Sequence, residues 1–144
     1  LNVIKICDNI QKIHPELNRD LLLTGAFLHD IGKMKELKVT TNIKYSNEGK
    51  LKGHLMIGLE LLLEKLNGSE TPKECKLKLI HMLLSNHGKL EFGSPVTPLF
   101  PEALVIYHAD ELDAKTKMII TIKEEAKTDE DYIYTRDFGD VYLK

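Results

Sequence analysis

His29 and Asp30 form an adjacent histidine–aspartate pair at the end of an apolar stretch. The pair offers a cation one imidazole nitrogen and one carboxylate oxygen, and a buried aspartate is costly unless it is paired or bound to a cation. The alternative is a helix end whose polar residues simply reach solvent. Gly32 lets the chain turn directly afterwards, and Lys33 then places an ammonium group where a phosphate would lie. The segment therefore predicts a metal site that acts on phosphate groups.

Three later histidines are candidate ligands of the same site, and each has a structural alternative. His54 lies on a leucine-rich predicted helix, where an isolated histidine is more often a hydrogen-bonded core residue. His87 lies at a predicted helix-to-loop boundary, from which a ligand is easily aimed inward. His81 lies six residues earlier, nearly two helical turns away, and is either a ligand, a support for a ligand or a core residue. We therefore favour His54 and His87 over His81.

Carboxylates complete the candidate ligand set and decide which metals suit it. Asp110 and Asp113 share one face of a predicted helix, whereas His108 points away from Asp110. Mixed imidazole and carboxylate ligands suit Mn²⁺, Fe²⁺, Ni²⁺ or Zn²⁺, and the absence of a cysteine from the set argues against a structural zinc site. One or two such ions would activate water near neutral pH and neutralise charge on phosphoryl oxygens. In a site with two ions, Asp30 would bridge them.

The composition is that of one ordinary globular domain. The chain has 144 residues, of which 42% are hydrophobic and 29% are charged. No apolar run reaches the roughly 18 residues that a membrane span needs, and the first residues lack the features of a signal peptide. Cys7 and Cys75 are more readily explained as two thiols of a cytosolic protein than as a disulfide. We therefore predict a cytoplasmic location and no membrane association.

Local charge is more informative than the net charge of −2. Residues 33–52 contain six lysines and two glutamates, a local charge of +4 directly after the histidine–aspartate pair. This segment is either a solvated lysine-rich loop or a rim that attracts phosphates. The loop from Lys89 to Phe100 would flank the site on another side. In that loop Phe92 and Phe100 either stack on nucleobases or belong to the core.

Apolar periodicity predicts an all-α bundle with small additions. Residues 34–47 are predicted to be a loop with at most a short hairpin, and the tail is predicted to be a small hairpin or an extended arm. We place one domain at residues 1–131, with its first helix truncated, and the tail at 132–144. The predicted helices are 2–13, a helix with its body at 21–29, 48–66, 72 to about 85, and 101 to about 126.

The order of these residues resembles the HD superfamily of metal-dependent phosphohydrolases. Within it, the chain most resembles the HD domain of YhaM-type 3′→5′ exoribonucleases, over roughly residues 20–116. The most family-specific stretch is His-Gly-Lys-Leu-Glu-Phe-Gly-Ser-Pro. The segments that carry the resemblance are Gly25–Leu37, Glu48–Gly58, His81–Pro95 and Pro101–Ala114.

The resemblance implies an HD-domain helical bundle that holds divalent metal, with Mn²⁺ favoured. It implies a 3′→5′ exonuclease that releases nucleotides from single-stranded RNA or DNA, so the partner is a single strand or a nucleotide. Asp30 and Lys33 are the implied catalytic residues. The implied metal ligands are His29, Asp30, His54, His87 and Asp110, with His81 less favoured.

Three departures from the family pattern affect these expectations. No nucleic-acid-binding domain precedes the HD segment within this sequence, and we expect the chain to begin just after the family's first ligand histidine. His14 is the only upstream histidine, and it precedes a proline at a helix end. Asn86 stands before His87 where the family tends to have two adjacent histidines. Its carbonyl would bind a hard metal only weakly, so a second metal site would be looser.

Two other functions compete with an exonuclease. One is hydrolysis of small nucleotides, although residues 88–95 contain no Gly-Tyr-Pro, which disfavours the HD-GYP subclass. The other is a non-catalytic domain that binds a nucleotide or a metal as a sensor or scaffold, which the missing upstream histidine and Asn86 favour. The sequence is compatible with both a monomer and an oligomer.

Overall fold

Helices provide most of the structure in the computed structural model, which describes residues 1–144. The chain divides into two compact units, Leu1–Asp110 and Glu111–Lys144. The prediction of an all-α fold with a short C-terminal tail, extended or hairpin, is confirmed, and the tail is a hairpin. The helices are α1 Asn2–Ile13, α2 Arg19–Leu28, α3 Lys33–Glu36, α4 Asn47–Leu66, α5 Lys73–Leu84 and α6 Pro101–Glu125. The strands are β1 Leu37–Val39, β2 Ile43–Tyr45, β3 Tyr132–Thr135 and β4 Gly139–Tyr142.

The core of the first unit surrounds α2, as its apolar density predicts. Leu22 is fully buried and Ala26 nearly so, together with side chains from α1, α5 and α6. The side chain of Asn18 accepts a hydrogen bond of 3.0 Å from the Leu21 amide and caps the helix. Because α2 ends at Leu28, the histidine–aspartate pair follows directly at its carboxyl end.

A kink in α4 was not predicted from the sequence. Ser46 caps this helix by accepting from the Gly49 amide at 2.8 Å, but Gly53 has φ +71° and ψ 160°. That conformation lies in the left-handed region, which glycine adopts without steric cost. The kink takes the amide of His54 out of the helical hydrogen-bond pattern, and this amide donates instead to Glu36 Oε1 at 3.0 Å.

Close backbone packing at Gly32 brings the turn after Asp30 against α4. A β-carbon at Gly32 would lie 1.9 Å from the His54 carbonyl oxygen and 2.7 Å from the Gly58 nitrogen. Both neighbours are backbone atoms, so they cannot rotate away. Only glycine therefore permits this approach, which places Asp30 beside His54.

Two local predictions differ from the structure. Pro72 was predicted to be the first residue of α5, but it is extended at the N-cap position and α5 begins at Lys73. Residues 34–36 were predicted to lie in a loop, but they belong to the single turn α3, which continues from the packed turn at Gly32. The short hairpin expected in this region is present, with Leu37 paired to Tyr45.

The second unit contains the end of α6 and the hairpin of β3 and β4. Ile133 pairs with Val141 in this hairpin, and Val141 is buried. The division into residues 1–131 and 132–144 stays a prediction. Neither cysteine forms a disulfide, and burial raises the pKa of the Cys7 thiol to about 11. None of the helices combines the length and apolarity that a membrane span requires.

Candidate metal centre

The histidine–aspartate pair meets a carboxylate of α6 in the first unit. His29 Nε2 lies 3.4 Å from Asp30 Oδ2 and 3.5 Å from Asp110 Oδ1. One ligand atom from each residue lies within 4.8 Å of the other two. All three side chains are partly buried rather than spread on the surface. The geometry is compact enough for one cation to contact all three residues.

A second group of nitrogens lies on the other side of Asp30. His54 Nε2 is 3.1 Å from His87 Nε2 and 3.9 Å from Asp30 Oδ1. The two carboxylate oxygens of Asp30 therefore face different partners, Oδ2 toward His29 and Oδ1 toward His54. The structure thus brings together the five residues predicted as ligands, with Asp30 between two groups.

Each of the three histidine rings is oriented by an oxygen at its Nδ1. Backbone carbonyl and carboxylate oxygens accept hydrogen bonds, so each Nδ1 carries the hydrogen and each Nε2 faces the cluster. Neighbouring groups thereby orient the nitrogens that would bind a metal. The three contacts are His29 to Ala26 O at 2.7 Å, His54 to Glu36 Oε1 at 3.2 Å and His87 to Phe92 O at 3.1 Å.

The contact between His54 Nε2 and His87 Nε2 fits a bound cation. When both rings are neutral with hydrogen on Nδ1, the two Nε2 lone pairs point toward each other at 3.1 Å. That arrangement is unfavourable unless a proton or a metal ion lies between the nitrogens. Because the nitrogens converge next to a carboxylate oxygen, the donor set suits a divalent metal.

Positive charge on His29 and Lys33 balances the carboxylates in the metal-free protein. Burial alone would lower the pKa of His29, but hydrogen bonds to Asp110 and Asp30 raise it to about 10. Burial opposes ionisation of Asp30, yet His29 and Lys33 hold the pKa of that carboxyl well below its usual range. Lys33 Nζ lies 2.6 Å from Asp30 Oδ2. A bound cation would therefore take over the pairing that His29 and Lys33 make with these carboxylates.

Glu36 is a functional candidate that the sequence interpretation missed. Its side chain is buried and accepts from both the amide and Nδ1 of His54, at 3.0 and 3.2 Å. In the sequence interpretation it counted only as one charge in a lysine-rich segment. Its carboxylate accepts from the residue that follows the kink at Gly53, and no periodicity reveals that kink. A carboxylate behind a ligand histidine fixes the ring and makes it a better ligand.

Asn86 links the end of α5 to the histidine–aspartate pair. It is almost fully buried, and its Nδ2 donates to the carbonyl oxygen of His29 at 2.9 Å. Its Oδ1 has no hydrogen-bond partner in the structure. The weak metal contact expected of this carbonyl stays a prediction.

The remaining histidines make other contacts. His81 Nε2 accepts from the Leu99 amide at 3.1 Å, and its ring packs on Phe100 with centroids 5.2 Å apart. These contacts favour the core interpretation of His81 and also account for Phe100. Burial lowers the pKa of His81. His14 contacts Glu16 at the surface.

We expect Glu36→Gln to weaken metal binding by about 10- to 100-fold, which is the usual effect of losing an outer partner of a ligand histidine. Glutamine keeps the shape of the side chain but removes the charge that faces His54. Calorimetric titration with Mn²⁺ measures the change. The matched control is Glu48→Gln, an exposed residue on α4 whose partner is Lys52. Equal affinities in wild type and Glu36→Gln would contradict a supporting role for Glu36.

Comparisons with known proteins agree with this site. A sequence profile of the HD domain matches residues 1–115. A 3′-5′ exoribonuclease YhaM of Oceanobacillus iheyensis is 41% identical over 119 residues, which are 83% of this chain and 38% of the relative. YhaM of Bacillus subtilis is 38% identical over 130 residues, or 90% of this chain and 41% of the relative. The chain thus spans about two-fifths of the length of these curated relatives.

No solved structure matches the chain. The profile nevertheless covers most of the sequence, and its match contains the whole cluster from His29 to Asp110. The resemblance to the HD domain of YhaM-type exoribonucleases is therefore confirmed, and the chain belongs to the HD domain family.

Proposed function

We propose that the chain is a metal-dependent phosphohydrolase that removes nucleotides from the 3′ ends of single-stranded RNA or DNA. The family and the named relatives support a metal-dependent phosphohydrolase. The observation that carries the proposal is the position of Asp30 between His29 and Asp110 on one side and His54 and His87 on the other. This arrangement provides ligands on both sides of one carboxylate.

The proposed cofactor is divalent metal, with Mn²⁺ favoured over Fe²⁺, Ni²⁺ or Zn²⁺. Imidazole and carboxylate ligands suit all four ions, and HD domains bind divalent metals. We propose two ions, one held by His29 and Asp110 and one by His54 and His87, with Asp30 shared. When bound, such ions supply water activation near neutral pH and neutralise charge on the phosphoryl oxygens.

Reaction at a 3′ end is a hydrolysis of the last phosphodiester bond. Water adds to phosphorus, the bond from phosphorus to the 3′ oxygen of the preceding nucleotide breaks, and that oxygen takes up a proton. The products are a nucleoside 5′-monophosphate and a strand shortened by one nucleotide. No serine or cysteine nucleophile is needed, and none belongs to the cluster.

Lys33 is the residue that we propose for charge stabilisation on the substrate. Its ammonium group pairs with Asp30 Oδ2, while its side chain is about half exposed. A cation bound to Asp30 would take over that pairing. The ammonium group would then be available to a phosphate oxygen or to the leaving oxygen at the edge of the cluster.

The lysine-rich segment supports contact with several phosphates, although two of its six lysines, Lys33 and Lys52, are already paired with carboxylates. Lys52 Nζ contacts Glu48 at 3.2 Å and Glu60 at 2.8 Å, so its charge is balanced within α4. The tip of the β1–β2 hairpin also exposes apolar side chains. Four exposed lysines of the segment form no salt bridge: Lys35, Lys38, Lys44 and Lys50.

We expect Mn²⁺ to support stepwise shortening of a 5′-labelled single strand from its 3′ end. Because phosphate contacts release counterions, affinity should fall with salt by about 0.7 log units per log unit of salt for each phosphate neutralised. The double variant Lys38→Gln/Lys44→Gln should reduce that slope. The matched control is Lys65→Gln/Lys73→Gln, which removes two exposed lysines outside the segment. The measurement is product length on a denaturing gel at two salt concentrations.

Hydrolysis of a small nucleotide is the second candidate function. The observation that favours it is a cavity of about 350 Å³ beside His54 and His87, which is near the lower end of the range for small-ligand pockets. A mononucleotide should be tested beside the single strand. Hydrolysis that does not depend on salt and that favours the mononucleotide would contradict the exonuclease proposal and support this alternative.

A further inference from the structure

We infer that the cavity beside His54 and His87 binds the nucleoside at the 3′ end of the substrate strand. This inference rests on the proposed exonuclease function and deepens it, because it assigns the group that the enzyme releases to one place on the protein. The cavity lies between the first half of α4 and the loop that follows α5.

The position of the cavity follows from two shared residues. His54 and His87 belong both to the cluster and to the lining of the cavity. A phosphate at the cluster is joined to the terminal nucleoside only through the 5′ oxygen of that nucleoside. The sugar and base of this nucleoside therefore have to lie directly beside the cluster, and the cavity is open to them there.

The chemistry of the walls suits a nucleobase. Apart from the two histidines and Lys52, the lining is made of apolar side chains and glycines. Flat apolar surfaces are what the faces of a base contact, and stacking on an aromatic ring is tolerant of base identity. The apolar wall is formed by Leu55, Met56, Leu84, Phe92 and Pro95.

Phe92 is the residue in this wall best placed to stack on a base. Its side chain is 53% exposed, unlike that of Phe100, which packs on His81. Lys89 Nζ lies 5.2 Å from the centroid of the Phe92 ring, which is a cation–π distance. The backbone carbonyl of Phe92 also holds His87 Nδ1 at 3.1 Å. One residue thus connects the wall of the cavity to a proposed ligand.

The size of the cavity favours one nucleoside over a continuing strand. A volume of about 350 Å³ is near the lower end of the range for small-ligand pockets. A strand that continued past the cluster on this side would have to place more than one nucleotide in or beyond this cavity. A strand that ends at this cavity places only its last nucleoside there. This agrees with hydrolysis at a terminus rather than within a chain.

The test combines a change in the protein with a change in the substrate. Wild type, Phe92→Ala and the control Leu90→Ala are compared on two single strands, one intact and one lacking only the 3′-terminal base. Leu90 is an exposed neighbour in the same short turn but does not line the cavity. We expect Phe92→Ala to lower kcat/KM on the intact strand by about 5- to 100-fold, as loss of one stacked base does.

On the strand without the terminal base, Phe92→Ala and wild type should be equally active. Wild type should prefer the intact strand by a similar factor, Leu90→Ala should behave as wild type, and Phe92→Trp should retain the preference. Equal losses on both strands would mean that Phe92 only supports His87, and this would overturn the inference. The same conclusion would follow if wild type cleaved both strands equally well, a comparison that needs no variant.

Failure of the proposed function gives a different result. Wild type would then cleave neither strand with any of the divalent metals, and the inference would fall together with the exonuclease proposal. Cleavage of both strands without discrimination would leave the exonuclease proposal standing and remove only the assignment of the cavity.

Discussion

Replacing Asp30 with alanine is expected to abolish metal binding and hydrolysis together. Asp30 is the one side chain that faces both groups of the cluster, with Oδ2 at 3.4 Å from His29 and Oδ1 at 3.9 Å from His54. Its loss should weaken metal binding by more than the roughly 100-fold that follows loss of an outer partner of a ligand. Activity should fall to that of wild type treated with chelator.

The control for this variant is Asp20→Ala, an exposed aspartate in the first turn of α2. Asp30→Asn keeps the volume of the side chain and removes its charge, so it should also lose the metal. Metal content and hydrolysis are measured on the same preparations, and thermal unfolding in chelator verifies that each variant folds. An Asp30→Ala protein that retains metal and turnover would show that the two groups do not share this carboxylate.

Replacing Lys33 with alanine is expected to leave metal binding intact and to lower kcat by about 30- to 1000-fold. This range corresponds to about 2–4 kcal/mol, the usual loss when one electrostatic stabiliser of a transition state is removed. In the metal-free protein Lys33 already occupies Asp30 Oδ2 at 2.6 Å. The variant should therefore bind metal at least as tightly as wild type.

Lys65→Ala is the matched control for Lys33→Ala, because Lys65 is an exposed lysine in the last turn of α4 and lies outside the lysine-rich segment. Steady-state kinetics and metal titration are measured side by side for both variants. Loss of the metal from Lys33→Ala would assign Lys33 a structural role in holding Asp30. Unchanged kcat with full metal occupancy would remove Lys33 from the reaction.

The helices and the position of the histidine–aspartate pair were predictable from the sequence because they depend on local patterns. Apolar spacing places α1 at 2–13, as observed, and the density of leucines around Leu22 marks α2 as the centre of the core. The histidine–aspartate pair follows from the end of α2. Because these features depend on residues that are close together in the chain, the spacing of residue types predicts them.

The features that were missed depend on contacts between distant segments. The kink at Gly53 lies beside the point where the backbone of Gly32 packs against His54, and Glu36 accepts from the His54 amide. Asn86 was considered only as a weak ligand, but its Nδ2 holds the carbonyl of His29. No spacing within a single helix encodes these pairings, since each partner lies on a different element.

The number of Mn²⁺ ions bound to each chain tests the central claim most directly. It is measured by elemental analysis after equilibrium dialysis of wild type, His87→Ala and Asp30→Ala. We expect two ions in wild type, one in His87→Ala, which retains the group of His29, Asp30 and Asp110, and none in Asp30→Ala. Wild type that binds no metal, or binding that neither substitution reduces, would contradict the assignment of this cluster as a metal centre.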